Sequence, residues 1–194
     1  MGEFSLALLA LAGCVFAVSA AAKMRSRSAY RSFRTGLRET GLVPERQLPR
    51  TAAVLCAAEA VTGAGLIAAA VSTAAAGPGA STVAETALAA AAVLTSVLAA
   101  GIATVIRRGT QARCACFGAG SGRPLGRVHL IRNLCLLAVL AAGMAASSLS
   151  QRPAPAGAIV AAAAGVTAAL LFIRWDDLVE LFAPMPGSSP RPHL

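Results

Sequence analysis

Residues 51–72 read TAAVLCAAEAVTGAGLIAAAVS, and one charged side chain, Glu59, interrupts an otherwise apolar or small-residue run. A membrane-crossing helix needs about 20 predominantly apolar residues. A strand crossing a membrane would instead alternate polar and apolar positions. The stretch is long enough and does not alternate, so it is read as a transmembrane helix. Working outward, four further runs qualify on the same grounds: about 4–22, 84–106, 130–149 and 155–173. Lys23 and Arg25 close the first, Gly77-Pro78-Gly79 closes the second, and Arg107-Arg108 closes the third. Gln151-Arg152-Pro153 makes a tight hairpin of the last two, and the tail at 177–194 is Pro- and Gly-rich and read as disordered. The fold class that follows is all-α, a polytopic membrane helical bundle of about five transmembrane helices.

Composition agrees. The 194-residue chain is 57% hydrophobic and 13% charged, whereas an ordinary soluble domain carries roughly 25% charged residues. So few polar side chains cannot cover a globular surface in water. Disorder is excluded as well, because it needs low hydrophobicity.

The net charge of +9 raises nucleic acid as a partner, and its distribution argues against one. Lys23, Arg25, Arg27, Arg31, Arg34, Arg38, Arg46 and Arg50 fall in one inter-span segment. Arg107, Arg108, Arg113, Arg123, Arg127 and Arg132 fall in another. Single-stranded nucleic acid is bound by a continuous basic face with stacking aromatics, and aromatics are 4% here. Basic residues between spans mark the cytoplasmic side. Loop 73–83 carries none, so the N-terminus is expected outside, with the C-terminus and both basic loops inside, at the cell inner membrane. The first run is read as a retained span rather than a cleaved leader, because Glu3 is the only charge before it and the positive cluster follows it.

Within the first basic segment, Tyr30, Phe33 and Leu37 recur at helical spacing, with Arg27, Arg31, Arg34 and Arg38 on an adjacent stripe. Two readings fit: a short helix lying on an anionic inner leaflet, apolar stripe down, or a solvated basic loop.

Five cysteines are present: Cys14, Cys56, Cys114, Cys116 and Cys135. Cys114 and Cys116 lie in the second basic loop, on the side where structural disulfides rarely persist. Two thiols separated by one residue close only a small, strained ring, which makes their disulfide more oxidising toward other thiols. Arg113 and its basic neighbours favour thiolate over thiol, and Gly118, Gly120 and Gly122 leave room for a partner protein. Redox exchange competes with two other readings, inert thiols and a metal site. A zinc site wants about four ligands, and only His129, Cys135 and Cys56 could complete one, so no metal is assigned. Cys14, in mid-span, is read as a small hydrophobe. Cys56 and Cys135 lie near the inner ends of their spans, on the side of the pair.

Glu59 is the outlier, since a carboxylate within a span normally faces a partner or a cavity. It lies one helical turn after Cys56. Two roles stand side by side: handling the proton released when a thiol is oxidised, or a buried pair with Arg132 that locks two helices. Arg132, three residues before Cys135, is thus a candidate partner for the carboxylate and for a thiolate. Glu85 is read as interfacial. No cofactor fingerprint is present, and a bound quinone has no motif behind it.

Several of these residues together resemble a known family. They are Ala21-Ala22-Lys23, Gly41-Leu42-Val43-Pro44, Glu59, Arg108-Gly109, Cys114-Ala115-Cys116-Phe117-Gly118 and Arg132-Asn133. The pattern resembles the MauE family of methylamine-utilisation membrane proteins, related to DoxX-like proteins, over residues 1–150. The resemblance implies a four-helix DoxX-like core followed by an additional helix at 151–176. It also implies a redox-associated accessory protein that works with a thioredoxin-like partner in maturing the disulfide-rich small subunit of methylamine dehydrogenase. Residues 54–58 depart from the Pro-Trp-rich version of the family, which leaves Cys56 without family support. Maturation of an exported subunit takes place outside, whereas charge places the Cys pair inside. Either electrons cross the membrane, through a residue such as Cys14, or the pair does not act directly on the exported protein. Two readings from other classes compete. One is a non-catalytic assembly scaffold with incidental cysteines. The other is a transporter centred on Glu59, disfavoured because no inverted repeat is detectable.

Overall fold

Helix α1 (Gly2–Met24) has Glu3 in its first turn and Lys23 in its last, the charge order that complements the helix dipole. The computed structural model describes residues 2–75, 77, 79–110, 126–149 and 153–175. Cys114, Cys116, Arg113 and the tail therefore lie outside the described residues. A short helix, α2 (Arg27–Glu39), follows at once. Ser26 caps it, accepting a hydrogen bond from the Ala29 N–H at 3.1 Å. Then come α3 (Leu48–Ala74), with Pro49 in its first turn, and α4 (Ala80–Arg107), α5 (Arg127–Ser148) and α6 (Pro155–Ile173), the last opened by Pro155. Proline fits there because the first-turn N–H groups have no intrahelical partner.

The described residues are all-helical, and α1, α3, α4, α5 and α6 are each long and apolar enough to cross a membrane. α3 starts three residues ahead of the apolar run at 51–72, because Leu48 is buried under the bundle.

Four helices close on themselves: α1 packs on α3, α3 on α4, α4 on α5, and α5 back on α1. α6 lies against the outside of α1. α1 is consequently the centre, 56% buried against 22–28% for the other spans. Leu6, Leu9, Leu66, Leu88 and Leu140 fill the interior. The exterior is apolar too, with Val61 72% exposed and Ile159 74%. Helices apolar on every side belong in lipid, so this is a multi-pass membrane protein.

Small residues set the helix spacing. A Cβ on Gly63 would come within 2.9 Å of the Ala17 N of α1, and one on Gly165 within 2.3 Å of the Ala7 carbonyl oxygen. Backbones this close gain van der Waals contact that bulkier side chains would forbid. At one end of the bundle, the Ser5 and Ser147 hydroxyls meet at 2.9 Å between α1 and α5. The chemistry lies at the other end.

α2 forms as the spacing of Tyr30, Phe33 and Leu37 suggests, but its apolar stripe faces the bundle and not the leaflet. Phe33 is buried against Ala52 and Cys56, with Tyr30, Leu37 and Leu55 around it. The Tyr30 hydroxyl donates to the Pro49 carbonyl at 3.4 Å. Burying an aromatic ring against α3 removes more apolar area from water than an interfacial position would. Arg27, Arg31 and Arg38 remain exposed. Arg38 pairs with Glu45 at 2.8 Å, a surface contact of little energetic weight.

Candidate functional site

Ser19 and Lys23 are four residues apart on α1 and therefore share a face. That face meets α3 where Gly63 allows the two backbones together, and the residue of α3 one turn below is Glu59. Lys23 Nζ donates to both carboxylate oxygens of Glu59 and to Ser19 Oγ at 3.0 Å. Ser19 Oγ in turn donates to Glu59 Oε2 at 3.1 Å. The ammonium has three N–H donors, and this arrangement uses all of them. Its remaining side is covered by Phe33 of α2, whose ring centroid is 5.1 Å from Nζ, a cation–π distance. Lys23 and Glu59 are each 3% exposed and Ser19 is 7% exposed. Buried charges persist only when paired and hydrogen-bonded, and both conditions are met here.

The charge partner of Glu59 is thus Lys23, in place of the expected Arg132. In the sequence Lys23 only closes the first span, at the start of the basic segment. The close crossing of α1 and α3 turns it inward instead. The sequence signal that bears on this choice is depth: a carboxylate towards the N-terminal end of α3 needs a cation at the same level, and Lys23, at the C-terminal end of α1, is as near that level as Arg132.

The pair forms one wall of a pocket of about 320 Å³. α4 contributes Thr95, α5 contributes His129, Arg132 and Asn133, α6 contributes Phe172, and α2 covers it with Phe33 and Leu37. Arg132 is 6% exposed, with its guanidinium carbon 5.6 Å from the Phe172 ring centroid. Asn133 Nδ2 donates to the His129 carbonyl at 2.9 Å. The pocket therefore gathers Glu59 and Arg132, two of the residues singled out by sequence, and adds Lys23, Ser19 and the rings of Phe16, Phe33 and Phe172.

Among the described residues, Cys14, Cys56 and Cys135 do not line it. Cys56 is buried with Phe33 and Ala52, while Cys14 and Cys135 are half-buried beside the main core. Among the described residues, no three His, Cys, Asp or Glu side chains are grouped to hold a metal ion. The pocket draws on the C-terminal halves of α1, α4 and α6 and the N-terminal halves of α3 and α5, so it lies towards one end of the bundle. Thr110 and Gly126, which flank the segment holding Cys114 and Cys116, belong to that same end by their places after α4 and before α5.

Comparison with curated proteins and with solved structures finds no match. The family model described as methylamine utilisation protein MauE matches residues 1–150, the stretch that holds α1 to α5 and the Lys23–Glu59 pair, and the chain belongs to that family.

Proposed function

We propose that the protein is an inner-membrane redox accessory of the methylamine-utilisation type, exchanging thiol and disulfide equivalents with a thioredoxin-like partner through Cys114 and Cys116. The observation that carries this reading is positional. The Cys-x-Cys segment is joined to the bundle at Thr110 and Gly126, on the end where the polar pocket lies. The cysteines within the helices are buried or half-buried, which disfavours them as exchange partners, since reactive thiols need access.

The exchange is a two-step displacement. The thiolate of one cysteine attacks the partner's disulfide, forms a mixed disulfide and releases one partner thiolate. The second cysteine attacks the mixed bond, closing the Cys114–Cys116 disulfide and releasing the second partner thiolate. Arg113 and the neighbouring arginines favour the attacking thiolate. The exposed arginines of α2 face an anionic inner leaflet, each contributing about 1 kcal/mol of attraction near such a surface.

A Cys114→Ser/Cys116→Ser variant tests the chemistry. Co-expressed with an exported, disulfide-rich substrate, it is expected to leave that substrate immature, seen as mispaired disulfide isomers on a non-reducing gel. Wild-type levels of maturation with the double variant would end the redox reading in favour of a scaffold.

Orientation is tested separately with a membrane-impermeant maleimide. Cys114 and Cys116 are expected to label in inverted vesicles and not in intact cells. Labelling from outside reverses the topology, and labelling that requires prior reduction shows the pair to be oxidised.

A further inference from the structure

The pocket has features that neither the ion pair nor the cysteines account for. Apart from its polar end it is lined by Val15, Phe16, Leu55, Leu98, Ile102 and Leu136. Its volume of about 320 Å³ falls at the lower end of the range for small-molecule sites, roughly 300–1,000 Å³. One lining residue, Val97, is 58% exposed on the outside of the bundle. The chamber thus reaches the lipid-facing surface, while α2 closes it over the ion pair.

We propose that this pocket binds a neutral, lipid-soluble carbonyl compound of the quinone class. The ring occupies the chamber bounded by Phe33 and Phe172, and the apolar tail leaves past Val97 into the bilayer. Three phenylalanine rings among the lining residues, Phe16, Phe33 and Phe172, suit a flat ring, by offset or edge-to-face contact. The polar end supplies a hydrogen-bond donor to a carbonyl oxygen in the second N–H of the Asn133 amide, whose first goes to the His129 carbonyl.

Charge favours a neutral head over a fatty acid or phospholipid. Lys23 is already matched by Glu59 and Ser19, so an entering carboxylate or phosphate would have to compete with Glu59 for it. Arg132 is likewise engaged, against Phe172 and elsewhere. A carbonyl needs no such exchange. Binding requires neither Cys114 nor Cys116, so the site stands apart from the thiol chemistry proposed above.

The chain provides its own reporter. Trp175 is its single tryptophan, with its ring centroid 6.0 Å from that of Phe172. A quinone held beside Phe172 quenches indole emission. Full-length protein in detergent, titrated with menadione, is expected to show saturable quenching of Trp175, with the same midpoint in the Cys114→Ser/Cys116→Ser variant. Gly101 lines the pocket, and a Cβ there meets only Leu42 Cδ1, at 3.6 Å. Gly101→Leu places a side chain in the chamber and is expected to raise the midpoint about tenfold. Gly101→Ala serves if the leucine variant does not fold, with an expected rise of about threefold. Gly65, where an added Cβ meets nothing within 4 Å, provides the control: Gly65→Leu should titrate as wild type. Linear, non-saturating quenching in wild type, or an unchanged midpoint in both Gly101 variants, overturns the site. Displacement of menadione by equimolar oleate overturns the neutral-head assignment.

Discussion

Lys23→Met and Glu59→Gln are each expected to destabilise the bundle severely, whereas the double variant Lys23→Met/Glu59→Met regains most of the loss. The reasoning lies in the asymmetry of buried ion pairs. Removing one partner strands a charge that is 3% exposed, and such a loss costs about 3–5 kcal/mol. Exchanging both partners for apolar groups of similar volume is often neutral or better. Ser19 sharpens the contrast between the singles. In Lys23→Met it still donates to Glu59 Oε2, as it does at 3.1 Å in wild type, so one hydrogen bond to the carboxylate survives. In Glu59→Gln the ammonium keeps Ser19 and the Phe33 ring but faces a neutral amide. Thermal unfolding in detergent, followed by size-exclusion profile, reads all three variants. If both single variants melt with wild type, the pair contributes nothing to the fold. If the double variant is as damaged as the worse single, the pocket needs the charges for a reason other than their mutual compensation.

That same pair shows where sequence reading succeeds and where it stops. Run length and hydropathy are one-dimensional properties, and they suffice for five spans, since a helix in lipid satisfies its own backbone. Glu59 also stood out unaided, because any carboxylate in an apolar run demands an explanation. Its partner did not. The choice between Lys23 and Arg132 depends on which helices cross closely, and that is decided by Gly63 against Ala17, a three-dimensional fact. In a sequence so rich in alanine and glycine, Gly63 and Gly165 carry no distinguishing mark. α2 was legible as a periodicity but not as a contact. Its stripe of Tyr30, Phe33 and Leu37 fits a membrane surface or a protein groove equally well, until α3 presents Ala52 and Cys56 to Phe33. The pocket was invisible for the same reason, because its lining comes from all six helices and none of them carries a local motif for it.

Gly165→Ala is expected to cost about 1–3 kcal/mol, the range for overpacking a close contact, and Gly165→Leu to lift α6 off α1 altogether. An added Cβ at Gly165 would stand 2.3 Å from the Ala7 carbonyl oxygen and 2.9 Å from the Ala10 Cβ. The nearer of these is backbone, which cannot swing aside as a flexible side chain does. Gly63→Ala meets the Ala17 N at 2.9 Å and should be destabilising by the same mechanism, with a different consequence. It forces α3 from α1 one turn above Glu59 and so disturbs the Lys23 pair. Gly165 lies beyond residues 1–150, the part that matches the family, and α6 reaches the bundle principally through α1. Its displacement should therefore spare the four-helix ring and the Lys23–Glu59 pair while pulling Phe172 from the pocket wall. Trp175 reports that event, because its packing on Phe172 at 6.0 Å makes its emission sensitive to the last turn of α6. The expected pattern is a shifted Trp175 emission with a retained monodisperse bundle in Gly165→Leu, and a lowered melting temperature in Gly63→Ala. Gly65→Ala, with no neighbour to meet, should be neutral or stabilising by up to about 1 kcal/mol, as replacing a glycine inside a helix by alanine is. Wild-type stability and emission in Gly165→Leu would mean that α6 does not sit where Ala7 and Ala10 place it. The pocket would then lose its Phe172 wall.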